Sequence, residues 1–550
     1  MSQISNKRLA NLKTRAETGW DYVVSGLDIR TPFGKRTLKS IRPFFPGDED
    51  ALMEELDKVE RMVSLLKENG TIRSRLDEQF MCLKNIDSTL ERSSDFTLSA
   101  VEIFEVKSLL IYTWEIGKLL RNAREAGAEI DEELMPTELP ELMELLDPRG
   151  DKTNTFYLYD EYSARLADLR KDKKRIEHDV RKIQRVHRDM LLKEQGIALT
   201  PKFDIIIPKS SDDLERVKSI KELEIIGEDY VSVTFALAKG EEVFQLLKEG
   251  EELEALIEEE ETRVREMLSR KIGEKSPEII QNCHRIGRLD YLLAKAYHAL
   301  RTDCTKPIIS RDHVIRIEEG RHLQVEAILN EKGENYCPIS INLNPGVTCI
   351  TGANMGGKTI SLKLSGLVPL LAQYGFFVPC REAEIGLSNF IQILIGDSQS
   401  VERGLSSFGS EMEELKEIMD HAKDRSLILI DEIASGTNPL EGLALTKSLV
   451  EHFLKQPYIT LITTHFESVT EESGVKNMQV RGLADADFTK LDREIRYANR
   501  RERIKIIGKY MDYRLEEVSG DREVPKDALN IAKMLGISPE IIEGARKYIK

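Results

Sequence analysis

A glycine-rich turn followed by lysine and threonine is the strongest chemical pattern in the sequence. Residues 347–375 read as a buried strand, a turn of the form G-x-x-x-x-G-K-T and an amphipathic helix, the order that a phosphate-binding loop requires. The glycines of this turn are Gly352, Gly356 and Gly357. They let backbone N–H groups face a phosphate at the positive end of the helix. We predict that Lys358 reaches the β- and γ-phosphates of ATP and that Thr359 binds Mg²⁺.

Two adjacent carboxylates and one histidine follow, each at the end of an apolar run. Asp431 and Glu432 close the run SLILIDE, and His465 closes the run TLITTH. In a phosphoryl-transfer site an aspartate holds Mg²⁺, and a glutamate orients and deprotonates the attacking water. We therefore expect Asp431 to be a metal ligand and Glu432 to be the catalytic base. His465 is expected to contact the γ-phosphate or the water, and Lys358 completes the predicted catalytic set.

The elements around these residues read as an α/β domain with a mostly parallel sheet. From residue 346 onward, glycines, β-branched residues and helix-capping residues alternate. Residues 312–328 and 337–343 read as strands that lead into this domain. The earlier part of the chain reads as helices, with long ones over residues 162–192, 243–268 and 277–300.

Two of these helical runs carry opposite charge. Residues 170–193 hold ten basic and four acidic residues, whereas residues 249–266 hold nine acidic and two basic ones. We interpret them as the arms of an antiparallel coiled coil, although solvated faces of separate helices would produce the same runs. Between them, short β-branched runs predict a small β element at the tip. Residues 204–236 of this tip hold eight acidic and four basic residues, the opposite of what phosphate contacts need.

Composition excludes several classes of protein. The 550 residues are 41% hydrophobic and 32% charged, without the roughly 18 consecutive apolar residues of a membrane span and without a signal peptide at the start. We expect a cytoplasmic protein of several domains. Six well-separated cysteines without a C-x-x-C pair favour neither a zinc site nor disulfides. The net charge of -16 means that a nucleic acid would need a local basic surface.

The motifs resemble those of the MutS-type ATPases, a branch of the ABC-type class. TGANMGGKT is similar to the phosphate loop of that family, DEIASGTNPLEGLALTKSL to its carboxylate pair and D-loop, and TLITTHFESV to its switch histidine. The resemblance adds Asn354 to the phosphate loop and Thr437 and Asn438 to the interface loop. It places Ser406 and Ser407 in a signature that completes the ATP site of a partner chain. It therefore implies a homodimer that binds ATP and Mg²⁺ at shared sites.

The resemblance extends along the chain and implies five segments. They are a helical core over 1–160, lever and clamp arms with a β tip over 161–270, returning core helices over 271–310, the P-loop ATPase domain over 311–515, and a C-terminal helix-turn-helix for dimerisation over 516–550. The expected fold class is thus α plus α/β. Because the sequence starts at the helical core and contains no F-x-E triplet, we do not expect it to read mismatches.

Two functions from different classes remain open at this level. The first is a dimeric, nucleotide-switched clamp that acts on DNA structures such as branched duplexes. The second is the ATPase of a factor that reactivates or remodels a protein client, because short MutS-like proteins are associated with adenosylcobalamin-dependent lysine or ornithine aminomutases. The acidic tip favours the protein client, whereas the basic run KDKKRIEHDVRKIQRVHR favours DNA.

Overall fold

The residues of the chain fall into two compact units in the computed structural model. Unit 1 comprises residues 1–81, 118–135 and 285–550, and unit 2 comprises residues 82–117 and 136–284. The structure describes residues 9–150, 157–352, 357–396, 407–483, 486–496, 499–518 and 527–548. Within these ranges, no helix is long and apolar enough to cross a membrane.

Unit 1 begins with five helices that follow the apolar periodicity of the sequence. The longest buries one face through Leu52, Leu56, Val59 and Met62, which recur at helical spacing. The helices are α1 (Leu12–Glu17), α2 (Trp20–Ser25), α3 (Pro32–Ser40), α4 (Glu49–Glu68) and α5 (Ile72–Phe80).

Unit 2 contains the next helices along the chain. The first four are α6 (Asp87–Arg92), α7 (Ala100–Glu125), α8 (Pro140–Leu146) and α9 (Ala164–Gln195). Helix α7 also contributes residues to unit 1. The side chain of Ser163 accepts a hydrogen bond from the backbone N–H of Leu166 and so caps the start of α9. Gly196, with φ of 67°, ends this helix.

A small antiparallel sheet follows α9, as the β-branched runs predicted. Its strands are β1 (Asp204–Pro208), β2 (Leu223–Glu228) and β3 (Ser232–Leu237), in the order β1-β3-β2, with helix α10 (Leu214–Lys218) after β1. Val233 and Phe235 of β3 are buried and pack with Leu214 and Val217 of α10. The sheet thus has its own small core, which holds the hairpin between β2 and β3.

The next helix, α11 (Glu241–Arg301), is a single element where the sequence predicted two, over 243–268 and 277–300. The prediction of two separate helices was wrong, because the helix continues through Pro277. A proline removes one backbone hydrogen bond and crowds the carbonyl four residues earlier, here that of Gly273. Packing compensates on this side of α11: Gly273 lies against the turn at Ser93, and the Ser269 hydroxyl accepts a hydrogen bond from the N–H of Leu98.

Within unit 2, α9 and α11 contact each other through apolar and charged side chains. Ile176 and Val180 of α9 form a buried cluster with Val243 of α11. Ion pairs join Arg170 to Glu261 at 2.7 Å and Lys173 to Glu254 at 3.1 Å. Some basic residues of α9 are therefore neutralised by acidic residues of α11.

Unit 1 resumes with two further sheets. The elements in chain order are β4 (Ile308–Ser310), β5 (Ile315–Gly320), α12 (Leu323–Glu331), β6 (Ile339–Leu343), β7 (Gly346–Thr351), α13 (Lys358–Gln373), β8 (Glu382–Gly386), β9 (Phe390–Ile395), α14 (Ser407–His421), β10 (Ser426–Asp431), α15 (Pro439–Leu454), β11 (Ile459–Thr463), β12 (Val475–Gly482), α16 (Phe488–Ile495), α17 (Arg500–Tyr510), β13 (Asp512–Glu517), α18 (Asp527–Met534) and α19 (Pro539–Arg546). The four-stranded sheet has the strand order β4-β8-β5-β6, and the six-stranded sheet has the order β13-β12-β7-β11-β10-β9.

The six-stranded sheet has five parallel strands and one antiparallel edge strand, β13. Its central strands are apolar on both faces, as in β10, where Leu427, Ile428, Leu429 and Ile430 are fully buried. One face packs in the cluster that contains α13, and the other packs in the cluster that contains α14 and α15. This double cover explains why the strands read as continuous apolar runs rather than alternating ones. The predicted mixed helical and α/β class is confirmed.

One strand prediction was partly wrong. Residues 312–328 read as a strand, but β5 ends at Gly320 and helix α12 begins at Leu323. Glu319 has φ of 49° and Gly320 approaches the side chains of Ile317 and Leu364, so the chain turns here. Apolar residues on both sides of a sharp turn look like one strand when only composition is considered. The five predicted segment boundaries stay a prediction.

A buried lysine stabilises the junction between the first helices and the domain that follows in unit 1. The Lys295 ammonium donates to Glu55 Oε1 at 2.9 Å, to the Tyr374 carbonyl at 2.9 Å and to the Gly375 carbonyl at 3.0 Å. Burial lowers the pKa of Lys295 to about 8, against the attraction of Glu55. The carboxylate of Glu55 also pairs with Arg288, and these two cations hold its pKa below the ordinary value although burial opposes them.

We expect Glu55→Gln to destabilise unit 1 strongly, because it leaves the Lys295 ammonium buried without a counter-charge. Breaking such a pair costs about 3–5 kcal/mol. The measurement is the shift of the thermal unfolding midpoint. Glu54→Gln is the matched control, because Glu54 is exposed and pairs with Lys58 at the surface. Equal midpoints for the two variants would contradict a stabilising role for the buried pair.

Candidate functional site

Two glycines flank the turn after β7, and both have backbone angles that favour glycine. Gly352, directly after the strand, has φ of 129°, and Gly357, the N-cap residue of α13, has φ of 80°. Both values lie where side chains with a Cβ are strained. A Cβ on Gly357 would also come within 3.2 Å of the Tyr513 ring. The remainder of the predicted loop, with Asn354 and Gly356, lies outside the described residues.

Lys358 starts α13 and lies at the centre of a polar cluster. Its side chain is only 4% exposed. The ammonium donates to the Gly352 carbonyl at 2.9 Å and to His465 Nδ1 at 3.2 Å, and it lies 3.3 Å from Glu432 Oε1. Burial lowers the pKa of Lys358, whereas Glu432 and Asp431 act in the opposite direction.

His465 and Glu432 are joined by a short contact of 2.7 Å between Nε2 and Oε1. Because the Lys358 ammonium can only donate, Nδ1 of His465 accepts and the ring proton lies on Nε2, from which it is donated to Glu432. This hydrogen bond, together with the attraction of Lys358, holds the pKa of Glu432 below its ordinary value despite partial burial. Glu432 is therefore a carboxylate at neutral pH, as a base must be.

The backbone of Glu432 is unusual for a residue with a side chain, with φ of 49°. Its N–H donates to both the carbonyl and the hydroxyl of Thr463, each at 3.1 Å. A left-handed backbone costs about 1–3 kcal/mol and persists only where surrounding contacts hold it. These two hydrogen bonds turn the chain after β10, so that Glu432 faces Lys358 while Asp431 faces Thr359.

Asp431 is the second carboxylate of the site. Its Oδ2 accepts from the Thr359 hydroxyl at 2.8 Å, and its Oδ1 accepts from the Thr463 hydroxyl at 2.5 Å. A hydroxyl and a carboxylate are oxygen donors of the kind that Mg²⁺ prefers, and Mg²⁺ at nucleotide sites is held by few side chains together with phosphates. Among the described residues, no group of three or more His, Cys, Asp and Glu side chains could hold a metal ion alone. Thr359 and Asp431 therefore fit a magnesium ion that is bound together with a nucleotide.

Seven of the predicted site residues belong to this one edge of the sheet. They are Gly352, Gly357, Lys358, Thr359, Asp431, Glu432 and His465. Ser406 lies outside the described residues, and Ser407 is described only as the first residue of α14. Asn438 caps the start of α15, where its side chain accepts from the N–H of Leu440, and Thr437 lies in the preceding turn.

Two residues of the site were missed from the sequence. Thr463 orients both carboxylates, and Glu411 of α14 accepts from the N–H of Ala434 at 3.3 Å, in the turn after Glu432. Burial raises the pKa of Glu411. The only local signal for Thr463 was its place near the end of the apolar run TLITTH, and Glu411 lay in an ordinary helical pattern.

Comparisons with known proteins match the segment of the chain that holds these residues. Residues 348–549 match the family model of MutS domain V. The chain is 34% identical over 312 residues to an endonuclease MutS2 of Clostridium botulinum, which covers 55% of this chain and 34% of that protein. Endonucleases MutS2 of Caldanaerobacter subterraneus and Halothermothrix orenii are 30% and 27% identical, over 36% and 56% of their lengths. The chain thus spans between about a third and a little over half of the length of these relatives.

We expect Thr463→Val to weaken the use of Mg²⁺, because Asp431 loses one of its two hydroxyl donors and Glu432 loses one acceptor for its N–H. Loss of a residue that orients a metal ligand costs about 10- to 100-fold in metal affinity or activity. The measurement is the Mg²⁺ concentration that gives half-maximal ATP hydrolysis. Thr460→Val is the control on the same strand, since the Thr460 hydroxyl is buried without a hydrogen-bond partner in the described part of the chain. A similar shift in both variants would contradict the role of Thr463.

The geometry and the family match fall on the same segment of the chain. The seven residues at this edge and Ser407, the described members of the predicted set, all lie between Gly352 and His465, inside the matched region. The matched domain is the ATPase domain of the MutS family, and the described part of the site has a lysine at a helix start, a carboxylate pair and a histidine, as phosphoryl transfer requires. Over residues 348–549 the chain is thus similar to the MutS-type ATPases.

Proposed function

We propose that this chain is an ATP-hydrolysing switch in which Glu432 is the base and Lys358 binds the β- and γ-phosphates. The observation that carries the proposal is the contact of Lys358 with both Glu432 and His465 at the edge of the sheet. A phosphate that reaches Lys358 competes with Glu432 for the ammonium. The carboxylate is then released to accept a proton from the attacking water, while His465 keeps it oriented.

The remaining roles follow from the same geometry. Thr359 and Asp431 would hold Mg²⁺, which supplies positive charge against the phosphate oxygens. The glycines of the turn, Gly352 and Gly357 together with Gly356, would direct N–H groups toward the phosphates, and Asn354 would join them. Lys358 remains ionised at neutral pH when a phosphate replaces Glu432 beside it, because one negative charge takes the place of another.

We further propose that two chains pair around the nucleotide. The resemblance assigns Ser406 and Ser407 to a contact with the nucleotide of the partner. Helix α14 begins at Ser407, and one turn later its Glu411 binds the N–H of Ala434, two residues from the proposed base. A contact made at the start of α14 would therefore shift the turn that positions Glu432. Leu440 at the start of α15 is 79% exposed, which suits a surface that a partner covers.

Unit 2 is proposed to carry the movement to a client as a pair of arms, α9 and α11. The ion pairs Arg170–Glu261 and Lys173–Glu254 run in opposite directions along the two helices, as in an antiparallel coiled coil. Helix α11 continues without interruption into residues of unit 1. A continuous helix transmits displacement better than two helices joined by a loop. The C-terminal helices α18 and α19 are proposed as the dimerisation segment.

DNA is the first proposed client, as a structure that the arms enclose rather than as a mismatch to be read. The relatives are named endonucleases, and exposed basic residues lie along α9. Such a surface supplies the sequence-independent part of binding to the DNA backbone.

A protein client is the second candidate, and the β tip favours it. Tyr230 and Val231, in the hairpin between β2 and β3, are 101% and 72% exposed. Asp229 holds this hairpin, because its carboxylate accepts from the N–H groups of Val231 and Ser232, both at 2.7 Å. A rigid apolar hairpin with acidic surroundings suits an apolar and basic protein surface. An adenosylcobalamin-dependent lysine or ornithine aminomutase remains the proposed client of this class.

The two clients are separated by the ATPase rate of the purified chain with and without duplex, branched and single-stranded DNA at two salt concentrations. For a DNA clamp we expect stimulation that weakens at the higher salt concentration, because phosphate contacts release counterions. A rate that no DNA changes would eliminate the DNA client and leave the protein client.

The proposed base is tested by Glu432→Gln, with Lys358→Ala as its counterpart. Without the carboxylate, we expect turnover to fall about 10²- to 10⁴-fold while ATP still binds, so that a dimer accumulates with ATP and Mg²⁺. Lys358→Ala should abolish nucleotide binding and, with it, the accumulation of a dimer on addition of ATP. The measurements are steady-state hydrolysis and sedimentation velocity with ATP. Unchanged turnover in the first variant would refute Glu432 as the base.

A further inference from the structure

Exposed basic side chains form a single row along α9. Seven positions, single or paired at each turn, lie on one side of a helix of 3.6 residues per turn, because their neighbours along this side are three or four residues away. The row consists of Lys171, Lys174, Arg175, His178, Arg181, Lys182 and Arg185, and all seven are exposed. We call it the cationic row. At a rise of about 1.5 Å per residue it extends over about 20 Å.

The cationic row lies on the face of α9 that is turned away from α11. The opposite face holds Ile176 and Val180, which are buried with Val243 of α11. The ion pairs between the helices use Arg170 and Lys173, which are half-buried and do not belong to the row. The acidic residues of α11 therefore neutralise other basic residues of α9 and leave the row free.

Most charges of the row have no counter-charge. Arg175 lies 3.4 Å from Asp172, an exposed pair of neighbouring turns. Within the described ranges, Lys171, Lys174, Arg181, Lys182 and Arg185 make no hydrogen bond or ion pair through their side chains. Uncompensated charges in one line create a strong local field even on a chain of net charge -16.

The basic residues of the β tip are arranged differently. Lys209 pairs with Glu228 at 2.6 Å, and Lys218 pairs with Glu215 at 2.9 Å. Arg216 binds the Gln195 carbonyl and lies 3.3 Å from Asp213. Of the four basic residues between positions 204 and 236, Lys221 alone has no such partner among the described residues. The tip therefore offers less free positive charge than the cationic row, which is the better place for a polyanion.

We propose that the cationic row binds the phosphate backbone of duplex DNA, and that it, rather than the β tip, provides the electrostatic contacts of the DNA-acting function proposed above. The row has the regular charge spacing of a surface that follows a backbone without reading bases. Helix α9 contains no Phe, Tyr or Trp on which unpaired bases could stack. No apolar residue interrupts the row, so it lacks what insertion into a membrane surface needs.

The test compares two triple charge reversals in the full chain. The row variant is Lys174→Glu, Arg181→Glu and Arg185→Glu. The control variant is Lys202→Glu, Lys221→Glu and Lys239→Glu, three exposed lysines near the β tip of the same unit. Both variants change the net charge equally. The probe is a labelled duplex of 30 base pairs, followed by fluorescence anisotropy from 50 to 200 mM salt.

We expect the row variant to lose about tenfold or more in affinity at 50 mM salt, and the slope of log affinity against log salt to fall by about 2–3, because each phosphate contact contributes about 0.9. The control variant should stay within about threefold of the unaltered chain. A neutral variant, Lys174→Gln, Arg181→Gln and Arg185→Gln, should lose affinity in the same direction, which separates lost contacts from repulsion. Unfolding midpoints equal to that of the unaltered chain exclude a folding defect.

Three outcomes would overturn the proposal. Equal affinity and slope in the row variant and the unaltered chain would leave DNA as a client but remove the row from its binding surface. Equal losses in the row and control variants would reduce the effect to overall charge. If the chain bound single-stranded DNA or vesicles with anionic lipid more tightly than the duplex, duplex DNA would no longer be the ligand of the cationic row. Failure of the unaltered chain to bind any DNA would instead refute the DNA client itself.

Discussion

Parallel pairing of β7, β11 and β10 is the constraint on which the site depends. In register, Asp431 lies beside Thr463, and Thr463 lies beside Ile350, so the carboxyl ends of the three strands share one edge. This brings Lys358 and His465 within 3.2 Å although 107 residues separate them. The helices on both faces of the sheet bury its strands, and the polar side chains of the site lie where the strands end at this edge.

Two buried lysines in unit 1 show how similar surroundings lead to different uses. Lys295 has one carboxylate and two carbonyls as partners, so every donor is satisfied and the group is structural. Lys358 shares its carboxylate, Glu432, with His465, and that carboxylate is partly exposed. The contact of Lys358 with Glu432 can therefore be exchanged for a phosphate at low cost, and this exchange is the basis of the proposed switch.

In unit 2, the face of α9 on which a basic residue lies decides whether that residue is paired. Arg170 and Lys173 are consumed by carboxylates of α11, whereas the cationic row faces away from that helix. In the β tip, Lys209 and Lys218 form local ion pairs, and Tyr230 is exposed. Unit 2 thus has one surface that suits a polyanion, the cationic row, and a second surface that suits a protein, the β tip. This explains why the net charge of the chain alone favoured neither proposed client.

The sequence by itself determined the local features of the site: the left-handed backbone at Gly357, the start of α13 at Lys358 and the strand that ends at Asp431. These follow from backbone preferences and apolar runs within a few residues. Tertiary structure alone decided that Thr463 orients both carboxylates, that α11 continues through Pro277, and which basic residues of α9 remain free. Each of these depends on partners distant in sequence, and packing rather than local propensity selects such partners.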